Sequence, residues 1–280
     1  MKKLCVYCLF FLVIIVSSCS SDSSSTTDEP NPNLLQRVDF YSGTSFETRW
    51  IFNTDGLLSQ INKADGTIVQ DFIYDDQNRL TSSTKYNSPS PNQVYTFTYD
   101  ANGFVATVNG VTVNYDSTLD AYYTGILNQN YRLTKINNEK LITNAKTVFV
   151  EIEDGETIET EWYLINVNYL NNNITSYFPD ESCNYLTHDE KINPLRNATL
   201  AICRAFSFIE NSPWINGYYN SANNVLSHSH CLEDPESYQF HYTYNVNNMP
   251  ITQTRDDYYL GEYESTISSA NYYYQGDTLP

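Results

Sequence analysis

The sequence predicts a mainly β fold: a twisted antiparallel meander of consecutive hairpins, an open sheet or half-barrel, with one short helix-containing insertion. Three observations predict it. An aromatic residue followed by Asp or Asn, with Gly or Asn three positions later, recurs along the chain. The chain holds 25 tyrosines and 13 phenylalanines against 2 methionines, and aromatic and β-branched side chains suit a pleated, half-buried surface. Between the turn motifs, apolar residues alternate with a period of two, the period of a strand.

The recurring motif is clearest at Phe52-Asn53-Thr54-Asp55-Gly56-Leu57-Leu58, Tyr74-Asp75-Asp76-Gln77-Asn78-Arg79-Leu80 and Tyr99-Asp100-Ala101-Asn102-Gly103-Phe104-Val105. A late copy runs from Tyr244 to Ile251, Tyr169 to Thr175 matches with a residue missing, and Asn130 to Ile136 keeps only the second half. The aromatics come in pairs two apart (Trp50/Phe52, Phe72/Tyr74, Phe97/Tyr99, Tyr242/Tyr244), which places both members on one strand face. The Asx side chain can bond the backbone two residues on and start a turn. The Gly or Asn suits a left-handed position, as in a type I turn closed by a bulge. The motif resembles the YD (RHS-type) repeat, roughly Tyr-Asp-x-x-Gly-x-Leu, best at Tyr74–Leu80 and Tyr99–Val105. The resemblance implies a row of β-hairpins, as in small bacterial lipoproteins whose body is a few YD-like units.

Residues 1–18 read as an export signal. Lys2 and Lys3 precede an apolar run from Leu4 to Val16, which is short of the roughly 20 residues of a membrane span. Val16-Ser17-Ser18-Cys19 resembles a bacterial lipobox, which implies acylation of Cys19. Cys5 and Cys8 would leave with the signal. Residues 19–33 are rich in Ser, Thr, Asp and Pro and hold no apolar residue after Cys19, so they read as a flexible acidic tether. Residues 34–280 read as a single YD-repeat-like β domain.

The formal charge is −18, and removing Lys2 and Lys3 with no acid lost takes it to −20. That excludes nucleic acid as a natural partner, because phosphate needs Lys and Arg to neutralise it. The implied partner is a membrane, held through the N-terminal acyl anchor rather than a basic patch. The implied address is the bacterial outer membrane, periplasm-facing or at the cell surface.

Further along, Val111–Tyr115 and Thr147–Glu153 alternate like strands, with Val148, Val150 and Ile152 on one face and Glu151, Glu153 and Glu161 turned to solvent. Asp154-Gly155 marks a hairpin turn. Residues 179–232 break the period of two and read as a loop and helix insertion. Leu195, Ala198, Ile202, Ala205/Phe206 and Ile209 form a helical stripe, with Pro194 at its start. Asp256–Tyr274 returns to strand.

Candidates for chemistry are few. Cys183, Cys203, His228, His230 and Cys231 have no zinc-finger spacing, so no metal and no cofactor are assigned. In an oxidising compartment thiols pair. Three pairings are open, and Cys203 with Cys231 is favoured because both flank the insertion. His188 with Asp189 and Glu190 could be half of an acid–base set, but no nucleophile elbow, phosphate loop or dinucleotide fingerprint accompanies it. The reading is a non-catalytic structural or binding module with a glycan or an envelope protein as ligand. Trp214, Tyr218 and Tyr219, and further on Tyr272 to Tyr274, are its candidate stacking platforms for a surface glycan-binding role. A hydrolase built on the histidines is the remaining alternative.

Overall fold

The computed structural model describes residues 31–87, 89–125, 130–138, 140–153, 156–179, 184–209, 217–230 and 236–280, without the side chains of 162–164, 178–179, 217 and 219. Residues 31–280 form one compact unit. The first strands are β1 (Leu35–Ser42), β2 (Ser45–Phe52), β3 (Leu58–Lys63), β4 (Ile68–Tyr74), β5 (Leu80–Lys85), β6 (Gln93–Tyr99) and β7 (Val105–Val108). Then come β8 (Val111–Thr112), β9 (Asn114–Asp116), β10 (Ala121–Gly125), β11 (Tyr131–Ile136), β12 (Ile142–Glu153), β13 (Glu156–Leu170), β14 (Asn173–Pro179) and β15 (Asn184–Ile192). Helices α1 (Pro194–Phe206) and α2 (Gly217–Asn220) precede β16 (Asn223–His230), β17 (Glu236–Tyr244), β18 (Pro250–Tyr259) and β19 (Glu262–Tyr274).

Strands pair antiparallel with their neighbours in sequence from β1 to β8 and from β9 to β19. β8 and β9 act as one interrupted strand: its first half pairs with β7 and its second with β10, and the Val113 N–H between them donates to the Ala106 carbonyl at 2.8 Å. β19 also pairs with β1, from Leu35↔Tyr274 to Ser42↔Ser268. The meander is as the sequence predicts, and its first and last strands pair, so the sheet is a nearly closed, barrel-like ring, close to the half-barrel expected. Closure removes the unpaired N–H and C=O groups that both terminal strands would otherwise expose.

The hairpin turns follow the motif closely. At Asn53, Asp75, Asp100 and Asn245 the Asx Oδ1 accepts from the N–H groups two and four residues on, at 2.8–3.0 Å. The residue three after the Asx has positive φ in each: Gly56 +75, Asn78 +59, Gly103 +72 and Asn248 +60. A register shift falls at the preceding aromatic every time, the expected bulge. A fifth turn of the same form starts at Asn137; the half copy from Asn130 leads into β11 at Tyr131, and the residues just before it, 126–129, lie outside the described residues. The Asn137 Oδ1 accepts from Leu141 N, and Lys140 takes the left-handed position at φ +62. Ile136 and Lys140 stand where the other copies have an aromatic and a Gly or Asn, which hides the copy from pattern reading.

The tyrosines link one hairpin to the next. Tyr74 Oη donates to the Leu58 carbonyl at 2.6 Å, Tyr99 Oη to Leu80 O at 2.7 Å, and Tyr274 Oη to Pro250 O at 2.8 Å. Each acceptor is the first residue of the return strand after a motif turn. The ring face packs in the core while the hydroxyl satisfies a carbonyl freed by the bulge's irregular ladder.

Residues 179–232 are not an insertion throughout. β15 and β16 are full members of the ring and pair with each other. Their buried alternation includes polar Asn184, 3 % exposed, and His228, 5 % exposed, so apolar periodicity could not reveal it. The insertion is the stretch between them. Asn193 caps α1, its Oδ1 accepting from Leu195 N at 3.0 Å, with Pro194 at the first helical position. Leu195, Ala198, Ile202, Ala205 and Phe206 are buried with Val38, Phe52, Leu58, Leu80 and Phe97, so α1 lies against the inner side of the ring. Phe206 meets Tyr95 and Phe97 at 5.0 and 5.4 Å between ring centroids. Burial of Leu195, Ile202 and Phe206 is worth about 1.5–3 kcal/mol each. A second core gathers Ile165, Val167, Ile174, Leu186, Val225 and Phe240. The stretch from Asp256 to Tyr274 is two strands, reversed at Leu260 and Gly261, both at positive φ. In the β12–β13 ribbon, Val148 is buried while Ile152, on the same face, is exposed beside Glu151 and Glu153. Asp154 and Gly155 lie outside the described residues.

Candidate functional site

Ring closure creates a cavity of about 320 Å³ across the β19–β1 seam. Strands β1 and β2 wall one side, β16 to β19 the other, and the start of α1 with α2 forms the floor. Alternation delivers the side chains: Phe40 follows buried Val38 by two, Tyr242 follows buried Phe240 by two, and Tyr272 follows buried Ala270 by two.

Aromatic faces dominate the lining. Phe40 and Trp50 meet at 5.1 Å between centroids, tilted by 59°. Tyr218 meets Phe240 edge-on at 5.3 Å. Amides fix the rings. Gln253 Nε2 donates to Tyr242 Oη at 3.1 Å, and Gln253 Oε1 accepts from Tyr272 Oη at 3.2 Å. Asn193 Nδ2 donates to the carbonyls of Tyr218 and Ser221 at 2.7 and 3.1 Å, which seats α2 against the helix start. Burial, with nearby Tyr272 and Tyr244, pushes the Tyr242 phenol well above its ordinary pKa, so it stays a neutral hydroxyl.

His228 stands behind this wall. Its Nε2 bonds Asn184 Oδ1 at 2.7 Å, and its Nδ1 accepts from the Tyr218 hydroxyl. Desolvation, aided by His230 and Arg255, pushes its pKa down to about 4. It is therefore a neutral ring that orients Tyr218. His230 lies 4.7 Å from it, centroid to centroid. His188 is elsewhere, its Nε2 bonded to Ser221 Oγ at 2.9 Å, and Ser221 is fully buried. None of these three histidines is among the residues that line the seam cavity. Asp189, beside His188, is occupied by Lys191 N, Asn224 and the Tyr244 hydroxyl. Among the described residues no group of three or more His, Cys, Asp or Glu could hold a metal ion.

Of the sequence-predicted platforms, Tyr218 and Tyr272 line the cavity. Tyr219 sits on α2, its side chain outside the described set, and Trp214 lies outside the described residues. Cys19, Cys183 and Cys231 lie outside them too. Cys203 is a free thiol on the buried face of α1, and Cys231, its expected partner, lies outside the described residues. Burial pushes the Cys203 pKa up to about 12, so it is an unreactive thiol. Sequence reading missed Trp50, Phe40 and Gln253 as site residues. Their spacing marks them as strand-face residues, and only the β19–β1 closure brings them together.

No protein-family model and no curated protein matches the chain. Among solved structures it is similar to a porin-like protein from Bacteroides uniformis, at 12% identity over 88% of this chain and 98% of that one, with a TM-score of 0.36. A porin-like protein from Bacteroides vulgatus overlaps 69% of this chain and 97% of its own at 12% identity and a TM-score of 0.27. The Photorhabdus luminescens Tc holotoxin pore overlaps 78% of this chain and 9% of its own at 15% identity and a TM-score of 0.26. Likeness at this level decides neither fold nor function, which rest on the geometry above.

Proposed function

We propose that this chain is a non-catalytic binding module of the bacterial envelope, lipid-anchored through Cys19, and that its seam cavity takes a saccharide ring. One observation carries the ligand reading. The cavity pairs aromatic faces with side-chain amides and hydroxyls, and of its lining residues only Glu47 and Arg255 carry formal charge. Flat apolar faces stack on the C–H surface of a sugar, and the polar groups select its hydroxyls. A cavity of this size admits one or two rings. No nucleophile with an adjacent base lines it, which favours holding a ligand over converting one.

The anchor reading is supported by the charge, apolar run and Ser17-Ser18-Cys19 sequence at the start of the chain. Acyl labelling with and without globomycin tests it: a chain that takes up no label and is freely secreted sinks the anchor. A glycan array with the full chain tests the ligand. Binders are expected among neutral hexose oligomers, and Ser268→Trp, on the strand face of Ala270 and Tyr272, fills the cavity and should abolish them. No binder on a broad array, or binding that survives Ser268→Trp, removes the saccharide reading.

A further inference from the structure

A second groove, of about 350 Å³, differs in character from the seam cavity. It lies where three motif turns meet α1. Arg79 and Asn78 come from the β4–β5 turn, Asn102 from the β6–β7 turn, Lys140 from the β11–β12 turn and Arg204 from the helix. The chain has 33 acids and only 15 Lys and Arg. Three of those cations share this one groove, and no acid lines it among the described residues.

Two of the cations are held in place by contacts around the groove. Arg79 Nε and Nη2 sit 2.8 and 2.7 Å from Asp75 Oδ2, and the guanidinium lies 4.7 Å over the Tyr99 ring. Lys140 Nζ donates to the Asn102 carbonyl at 2.7 Å and lies 4.4 Å from the Phe104 ring centroid. Lys140 occupies a left-handed position, φ +62, where the four other motif turns use Gly or Asn. Its neighbour across the groove, Gly103, has φ +72, and a Cβ there would meet Lys140 Nζ at 3.2 Å. Glycine thus serves the turn and leaves room for the ammonium. The Tyr99 phenol senses both guanidiniums: burial and then the Asp75 carboxylate raise its pKa, and Arg79 and Arg204 pull it back. Both arginines therefore lie within electrostatic reach of one point. The rim residues Gln77, Asn78, Ala101 and Asn102 are exposed, so the groove opens to solvent.

We propose that this groove binds a sugar-sized organic anion, a carboxylate or phosphate ester, through Arg79, Lys140 and Arg204 with the Asn78 and Asn102 amides. Guanidinium and ammonium groups recognise oxyanions through charge-assisted hydrogen bonds. The groove is larger than inorganic phosphate needs and suits a monosaccharide that carries the anion. This goes beyond the seam cavity, whose lining selects a neutral ring.

The test is calorimetric titration of the full chain in the Ser268→Trp background, which closes the seam cavity and leaves this groove alone. The probes are glucuronate, glucose 6-phosphate, inorganic phosphate and glucose, at pH 7 and low salt. Glucuronate or glucose 6-phosphate is expected to bind, and the stronger of the two names the source of the anion. Glucose should not bind. Binding should weaken about tenfold or more in Lys140→Gln and in Arg204→Gln, and should weaken with added salt. Lys140→Gln lies in an exposed turn, so it decides the matter if Arg204→Gln melts early. Binding by neither sugar anion, binding unchanged in Lys140→Gln, or inorganic phosphate binding as tightly as the sugar anions would overturn the proposal.

Discussion

Removing a single hydroxyl from the motif tyrosines tests how one hairpin holds the next. Tyr99→Phe keeps the aromatic ring, and with it the contact under Arg79. It removes only the donor that reaches Leu80 O at 2.7 Å. Leu80 is fully buried, so water cannot replace that donor without opening the hairpin junction. A neutral hydrogen bond contributes about 1 kcal/mol net, and leaving a buried acceptor short of a donor raises the cost to about 1–2 kcal/mol. For a unit of this size that is a fall in melting temperature of about 2–4 °C per kcal/mol. Tyr74→Phe removes the 2.6 Å bond to fully buried Leu58 and should cost the same. Tyr259, 45 % exposed at the end of β18, is the control, and Tyr259→Phe should stay within about 0.5 kcal/mol of the parent. Urea titration at pH 7 measures all three, with the midpoint expected to fall and the slope to stay constant. If Tyr74→Phe and Tyr99→Phe fall no further than Tyr259→Phe, the hydroxyls do not couple the hairpins.

Three further outcomes follow from single sites. Leu260 is 74 % exposed and sits at φ +51, a conformation that costs a non-glycine residue about 1–2 kcal/mol; Leu260→Gly or Leu260→Asn should raise the melting temperature. His228 is neutral when folded, with a pKa of about 4 against 6.5 in the unfolded chain. The unfolded state therefore takes up more protons between those values, so stability is full above pH 6.5 and declines as pH falls towards 4. With allowance for solvent screening the decline is on the order of 2 kcal/mol. His188, lowered mainly by burial, adds in the same direction, and His228→Gln should flatten the slope of urea stability against pH in that window. Cys203 should resist a thiol reagent in the native chain and react once the chain is unfolded without reductant, as mass spectrometry of the labelled peptide would show; a Cys203 that stays unlabelled after unfolding would mean it is bridged.

Local chemistry was legible in the sequence wherever turn and strand are set by neighbouring residues. Asn53, Asp75, Asp100 and Asn245 make the Asx bonds their positions imply, and the α1 stripe with Pro194 at its start is where the period of 3.6 puts it. Reading failed where a different residue does the same mechanical work. Lys140 takes a left-handed position usually held by Gly or Asn. Asn184 and His228 satisfy each other inside the ring, so β15 and β16 lack the apolar alternation that announces a buried strand. The seam cavity was illegible for another reason. Phe40 and Trp50 lie some 190 residues or more from Tyr242 and Tyr272 in the sequence, and only ring closure makes them neighbours. The cation groove gathers Arg79, Lys140 and Arg204 in the same way, from two turns and a helix.

The β19–β1 pairing decides whether the ring and its seam cavity exist together. Hydrogen exchange of the native chain, read at Val38 to Tyr41 and at Ser269 to Tyr272, measures it most directly. A closed ring predicts protection there comparable with the amides of the β17–β18 pair. Exchange at the rate of free edge strands would mean the ends do not meet, and the site built across them would go with the seam.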